Sequence, residues 1–141
     1  MQDAEKYLRT SVAAPRPLAA AQNDLAELLR QGGRLAEAEK FARDAKTTDP
    51  RLYVAWETLC ATLLDQNKNL DEAEQCIQKA IDLAKGQDVR MQLTLARVQL
   101  AKKDLVKARS TLRSLGKRRD ELTAERDRAM YDELLKKAQG K

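Results

Sequence analysis

The sequence predicts an all-α fold, a solenoid of stacked antiparallel helix pairs. Three observations carry this expectation. Alanine recurs at Ala4, Ala38, Ala73 and Ala108, at spacings of 34, 35 and 35; a period this regular marks repeated units, each burying its apolar face only against its neighbours. Short apolar stripes at helical spacing alternate with turn-forming residues along the chain. Only five of 141 residues are aromatic, so alanine and leucine must fill the core, and alanine-rich interiors suit closely packed helices.

The length is that of one domain. Hydrophobic residues make up 43% and charged residues 35%, the profile of a helical protein with a polar surface. No apolar run approaches the ~20 residues a membrane span needs, and the first residues lack the apolar core of a signal peptide. Histidine is absent, which removes Ser-His and Cys-His catalysis and every metal site that needs imidazole. The two cysteines, Cys60 and Cys76, are too few for a disulfide framework or a zinc site. Each is expected to be a small buried residue. There is no GxGxxG and no GxxxxGK[ST]. Carboxylate pairs such as Glu37/Glu39 and Glu72/Glu74 are expected on outer helix faces, with no pocket to perturb them. The sequence therefore offers no catalytic residues, no metal ligands, no cofactor site and no small-molecule substrate, and the expectation is a protein that is not an enzyme.

In chain order, Gln2 to Ala13 is helical in composition and closed by Ala14-Pro15-Arg16-Pro17. Its segment Asp3-Ala4-Glu5-Lys6-Tyr7-Leu8 parallels Glu37-Ala38-Glu39-Lys40-Phe41-Ala42, Glu72-Ala73-Glu74-Gln75-Cys76-Ile77 and Lys107-Ala108-Arg109-Ser110-Thr111-Leu112. Residues 1–17 thus read as the second helix of a pair, which suggests a segment of a longer array; a native N-terminal capping helix is the alternative. Residues 18–51 form the first whole repeat. Leu25, Ala26 and Leu29 line its first helix, Gly32-Gly33 makes the turn, and Leu35, Ala38, Ala42 and Ala45 line its second. Thr48-Asp49-Pro50 closes it, because the residue before proline is pushed out of the α region.

Residues 52–87 form the second repeat. Trp56, Leu59, Cys60 and Leu63 share one helix face; Gln66-Asn67-Lys68-Asn69 breaks the pattern; Leu70, Ala73, Ile77 and Ala80 resume it. This turn is one residue longer than the first, which accounts for the shift from 34 to 35. Asn69 or Asp71 is expected to cap the following helix. Trp56-x2-Leu59-Cys60-x2-Leu63 with Ala73-x3-Ile77 and Ala80 resembles the tetratricopeptide repeat, although the family pattern has glycine in place of Cys60 and tyrosine in place of Leu63. The departures preserve one small and one large apolar side chain. The resemblance implies a right-handed superhelical solenoid and, in function, a protein-interaction scaffold.

Residues 88–117 form the third repeat, in which Leu95, Ala96, Ala108 and Leu112 fit. Gln92 and Gln99 stand where the family has large aromatics, and buried glutamines would need hydrogen-bond partners; either this helix is rotated, presenting Met91, Leu95 and Val98 inward, or it sits at the end of the stack. Asp104 is a plausible N-cap. Residues 118–141 hold one more helix, read from Asp120 to Ala138, with Leu122, Met130, Tyr131, Leu134, Leu135 and Ala138 as its apolar stripe. It resembles the capping helix of such arrays, with a docking helix for a partner as the alternative. One leading helix, three pairs and this last helix make eight.

The apolar stripes fix the opposite faces. At ~100° per residue, the first helix of repeat 1 turns Ala20, Asp24, Glu27 and Gln31 away from its stripe, with Asn23 and Arg30 beside them. Repeat 2 turns out Val54, Thr58, Ala61 and Asp65, flanked by Glu57. Repeat 3 turns out Arg90, Thr94, Arg97 and Ala101, flanked by Leu93. In the family the first helices line a concave groove that binds peptides, so the resemblance makes Asn23, Asp24, Glu27, Arg30, Gln31, Glu57, Thr58, Asp65, Arg90, Thr94 and Arg97 the candidate groove. Its first two-thirds are acidic and its last third basic. A partner with a basic segment and a carboxylate-bearing end would match it. A chaperone-type carboxylate clamp is disfavoured: Glu27 and Thr58 stand where that clamp has asparagine, Asn23 where it has lysine, and only Arg90 matches in part.

Charge is unevenly placed. Residues 1–96 carry 13 Lys+Arg against 15 Asp+Glu, a net of −2, and residues 97–141 carry 14 against 7, a net of +7. Arg113, Lys117, Arg118 and Arg119 form the densest basic patch. Cations near a helix C-terminus are favourable in themselves, and no aromatic residues are interleaved for base stacking, so nucleic acid is disfavoured as a partner although it stays an alternative. Acidic residues through 120–138 argue against a membrane-surface helix. The partner expected is a protein or peptide, with self-association through the N-terminal edge as the structural alternative.

Overall fold

In the computed structural model, which describes residues 2–140, eight α-helices and one 3₁₀ turn follow in order, with no strand among the described residues. They are α1 Gln2–Val12, α2 Ala19–Gln31, α3 Leu35–Thr48, α4 Tyr53–Asp65, α5 Leu70–Leu83, α6 Arg90–Ala101, α7 Leu105–Gly116, the 3₁₀ turn Arg119–Glu121, and α8 Glu125–Ala138. The helices divide into two compact units. The first ends at Lys68 and the second begins at Asn69.

In the first unit α2 packs on α3 and α3 on α4, while α1 lies against α2. Leu25, Leu29 and Ala38 form a buried cluster, with Leu8, Val12 and Phe41 packed against it. Ala38, Ala42 and Ala45 are wholly buried along α3; their small side chains let helix backbones approach. α1 contributes no fully buried residue, and Ala4 is exposed. The α2–α3 turn is a left-handed helix stop. Gly33 has φ +79°, its N–H donates to Arg30 O and the next N–H, of Arg34, donates to Leu29 O at 2.9 Å. Trp56 anchors α4 by donating from Nε1 to Pro50 O at 2.8 Å, with Lys46 Nζ 4.8 Å above its ring centroid. Leu59, Cys60 and Leu63 are fully buried. After α4, Asn67 takes the left-handed conformation of Gly33, and Asn69 takes it again. This turn is one residue longer than the first, as the sequence predicts. Asn69 makes no side-chain cap, however, and its backbone is left-handed rather than in the extended conformation typical of a capping residue.

In the second unit α6, α7 and α8 surround a core of Val89, Leu93, Ala96, Leu112, Leu115, Leu122, Tyr131, Leu134 and Ala138, and α5 packs on α6. α8 packs on both α6 and α7. Asp71 caps nothing and pairs with Lys102 at 2.7 Å, whereas Asp104 does cap α7, accepting from Lys107 N. On α6, Met91, Leu95 and Val98 are buried, and Gln99, also buried, accepts from Thr111 Oγ1 at 2.7 Å. The last helix starts five residues later than the sequence suggested. Leu122 is drawn fully into the core on extended backbone, so the chain cannot continue as a helix until Glu125. Arg118 pairs with Glu121 across the 3₁₀ turn at 2.7 Å, and Arg128 Nη1 donates to Leu122 O at 2.9 Å, holding the bend. Gly116 at the end of α7 leaves room for Tyr131, since a Cβ there would stand 2.7 Å from the Tyr131 hydroxyl and one of the two would have to shift.

Candidate functional site

In the first unit the candidate face runs along α2 and α4. Asp24 and Gln31 are exposed. Arg30 is committed within the fold: Nε and Nη2 donate to the two Glu27 oxygens at 3.0 and 2.7 Å, and Nη1 donates to Asp65 at 2.7 Å. Hydrogen bonding from Glu27 raises the Arg30 pKa, against desolvation, with Asp65 adding to the rise. Burial alone would push the Glu27 carboxyl up, but hydrogen bonds from Arg30 and Gln31 outweigh it and the net shift is down. Among the described residues, Asp24, Glu27 and Asp65 share this face with Arg30, so carboxylates outnumber the guanidinium and the face is acidic. Asn23 and Thr58 sit deeper than their wheel positions suggested, at 8% and 7% exposure. Thr58 O accepts from Thr62 Oγ1, and Asn23 Oδ1 and Gln22 Oε1 lack a hydrogen-bond partner.

In the second unit the candidate residues lie on α6. Arg90 is exposed and grips Asp88 with Nε and Nη2 at 3.1 and 2.9 Å. That contact is the main reason the Asp88 carboxyl is held below its usual range. Thr94 and Arg97 are half-buried. The basic patch separates into two kinds of residue. Arg118 binds Glu121 and Gly86 O, and Arg119 binds Asp132 at 3.3 Å. Arg113 and Lys117 remain exposed on α7.

The carboxylates expected on outer helix faces behave differently. Glu39 and Glu74 side chains are only 14% and 18% exposed. Glu5 on α1 accepts from Arg34 Nη1 at 2.7 Å. Glu39 on α3 accepts from Lys68 at 2.8 Å and from Gln66 at 3.0 Å, and pairs with Arg43. Glu74 on α5 accepts from Lys102. Each glutamate directly follows a repeat alanine, and each cation comes from the turn that ends the next first helix: Arg34, Lys68 and Lys102, spaced by 34 and 34. The series stops at the fourth position, where Arg109 follows Ala108. Arg109 Nε donates instead to Ala138 O, at the end of α8. The recurrent Ala-Glu pair was the readable signal for these ties, but only the fold shows which cations reach them.

Burial tends to raise the Glu39 pKa, yet bonds from Lys68, Gln66 and Arg43 hold it at about 2, against an ordinary value of 4.5. A carboxyl with a depressed folded pKa stabilises the fold above its unfolded pKa, and that stability is lost as pH falls through the folded value. Glu39→Gln should therefore cost on the order of 1 kcal/mol at pH 7, after allowing for solvent screening. The wild-type advantage should shrink between pH 4.5 and pH 2. Thermal melts of both proteins across that window check it; a gap that does not change with pH would refute the linkage.

Among the described residues no helix is long and apolar enough to cross a membrane, and no group of three or more His, Cys, Asp or Glu is placed to hold a metal ion. A search of curated proteins finds no match. A family model described as tetratricopeptide repeat matches residues 2–52 and 61–120. The first match includes α1, and the second runs through the end of α7. With its all-helical architecture, its alanine register and its helix pairs, this chain belongs to the tetratricopeptide repeat family, whose repeats are generally protein-protein interaction modules.

Proposed function

We propose that this chain is a non-enzymatic scaffold that holds a peptide or helix of a partner protein on the first helices of its repeats. Asn23, Asp24, Glu27, Gln31, Glu57, Thr58 and Asp65 would serve in the first unit, with Arg30 ordering Glu27 and Asp65 rather than meeting the partner directly. Arg90, Thr94 and Arg97 would serve in the second. The observation that carries the reading is the uneven placement of charge on the first helices. The α2–α4 face keeps a carboxylate excess with Asp24 exposed at its edge, whereas α6 carries arginines and no acidic residue. A basic peptide segment suits the former and a carboxylate the latter, and such complementarity sets both encounter and register.

Capture from native extract tests this, with wild type beside Asp24→Lys and Arg97→Glu and circular dichroism to check folding. A partner should be retained by wild type and at least tenfold depleted from one or both variants. Identical capture by all three proteins would remove these helices from the binding role.

A further inference from the structure

A different surface, independent of that reading, has an unspent charge pattern. Between Asp104 and Asp120 the chain has no acidic residue and six Lys or Arg. α7 fills most of this stretch. Its inner face is committed to the core through Ala108, Leu112 and Leu115, all buried. Its outer face carries Val106, Ser110, Arg113 and Lys117, which fall within about 60° of one another at 100° per residue. They make a straight row about 16 Å long, given 1.5 Å rise per residue. All four are exposed, Val106 at 78%, and Leu105 beside it at 39%. Lys107 is shared with Asp104 and Glu74 at 3.6 and 3.9 Å, and Arg109 is held by Ala138 O. Arg113 and Lys117 form no ion pair among the described residues. By contrast, α1, α3, α5 and α8 each carry at least two acids among their cations, and on α6, which has no acid of its own, Arg90 is paired with Asp88.

We propose that the outer face of α7 is a docking surface for an acidic protein segment, one that sets an apolar side chain on Leu105 and Val106 and carboxylates on Arg113 and Lys117. The charge row alone would suit any polyanion. The apolar end of the row decides the class. A phosphodiester backbone has nothing to place against an exposed valine and leucine, and this face offers no aromatic ring for a base to stack on. An acidic helix or strand supplies both chemistries at the required spacing: α7 puts about 10 Å between Val106 and Arg113 and about 6 Å between Arg113 and Lys117. Guanidinium and ammonium groups bind carboxylates with charge-assisted hydrogen bonds, and the exposed Ser110 hydroxyl, between Val106 and Arg113, adds a further donor. The contact is exposed, so its electrostatic part should weaken as salt rises, while the Val106 part should not.

Fluorescence anisotropy on the full chain tests the assignment. One probe is a labelled 16-residue peptide rich in glutamate with leucines on one helical face; the other is a labelled 16-nucleotide single-stranded DNA. Arg113→Glu/Lys117→Glu should weaken peptide binding at least tenfold, and Val106→Ser about threefold. Arg16→Glu/Arg51→Glu changes the net charge equally at exposed sites in the first unit and should leave binding within twofold. Circular dichroism confirms that each variant folds. Three results would each overturn the proposal. Wild type could fail to bind the peptide; both double variants could lose it equally, making net charge the whole effect; or DNA could bind more tightly than peptide with no response to Val106→Ser, assigning the row to nucleic acid.

Discussion

Replacing Leu112 with alanine should cost the second unit about 3 kcal/mol, within the range for a wholly buried leucine. Leu112 is inaccessible to solvent and lies among Val89, Leu93, Ala96, Leu115 and the α8 side chains Tyr131 and Leu134. Its removal takes apolar area out of the core and leaves a cavity that three helices cannot all close upon. The Tyr131 hydroxyl stands beside Gly116 at one end of this core. The matched control is on the same helix. Val106→Ala changes an apolar residue that is 78% exposed and should alter stability by no more than about 0.5 kcal/mol. Urea titrations followed by circular dichroism would measure both. Similar midpoints for the two variants would mean that α7 does not present these two faces as described.

A second large effect is expected at the repeat alanine. Ala38 is wholly buried and belongs to the cluster with Leu25 and Leu29. Ala38→Leu must fit three further carbon atoms where α3 meets α2, and overpacking of this kind costs about 2–3 kcal/mol. Ala4 holds the same register position one repeat earlier but faces solvent, so Ala4→Leu should stay within about 0.5 kcal/mol. The pair makes an internal comparison in which chemistry is constant and only burial differs. Equal losses at both positions would imply that α1 has its alanine face covered. Ala73 and Ala108 are as fully buried as Ala38 and should respond as it does.

The alanine register was legible because burial of a helix face leaves a periodic trace. Leu25, Leu29, Leu59, Leu63, Ile77 and Leu112 were placed in the interior by that trace alone, and they are there. The same reasoning located the turns, since left-handed residues such as Gly33 and Asn67 concentrate where glycine and asparagine interrupt a stripe. It was weaker at the edges of the stripe. A wheel fixes direction only to within a few tens of degrees, and that margin separates an exposed Thr58 from a buried one. It was silent on partners 28 to 35 residues apart. The alanine register marks Glu39 rather than Glu37, but nothing local names Lys68 as the cation that holds it. Nor does a run of Lys117, Arg118 and Arg119 reveal that two of the three are spent on Glu121 and Asp132.

The series of glutamates tied to the following turn has a consequence for how the chain could be lengthened. A block copied from one turn to the next carries its own cation and its own acceptor, so duplication between α1 and α7 keeps every tie intact. A block spliced between α7 and α8 does not: its leading cation would face Arg109, and two positive charges would meet where the other junctions set opposite ones. The same splice would strip Arg109 of the carbonyl at Ala138. Growth by internal copying is thus permitted at every seam but the last, and a designer extending the array there would have to convert Arg109 to glutamate first.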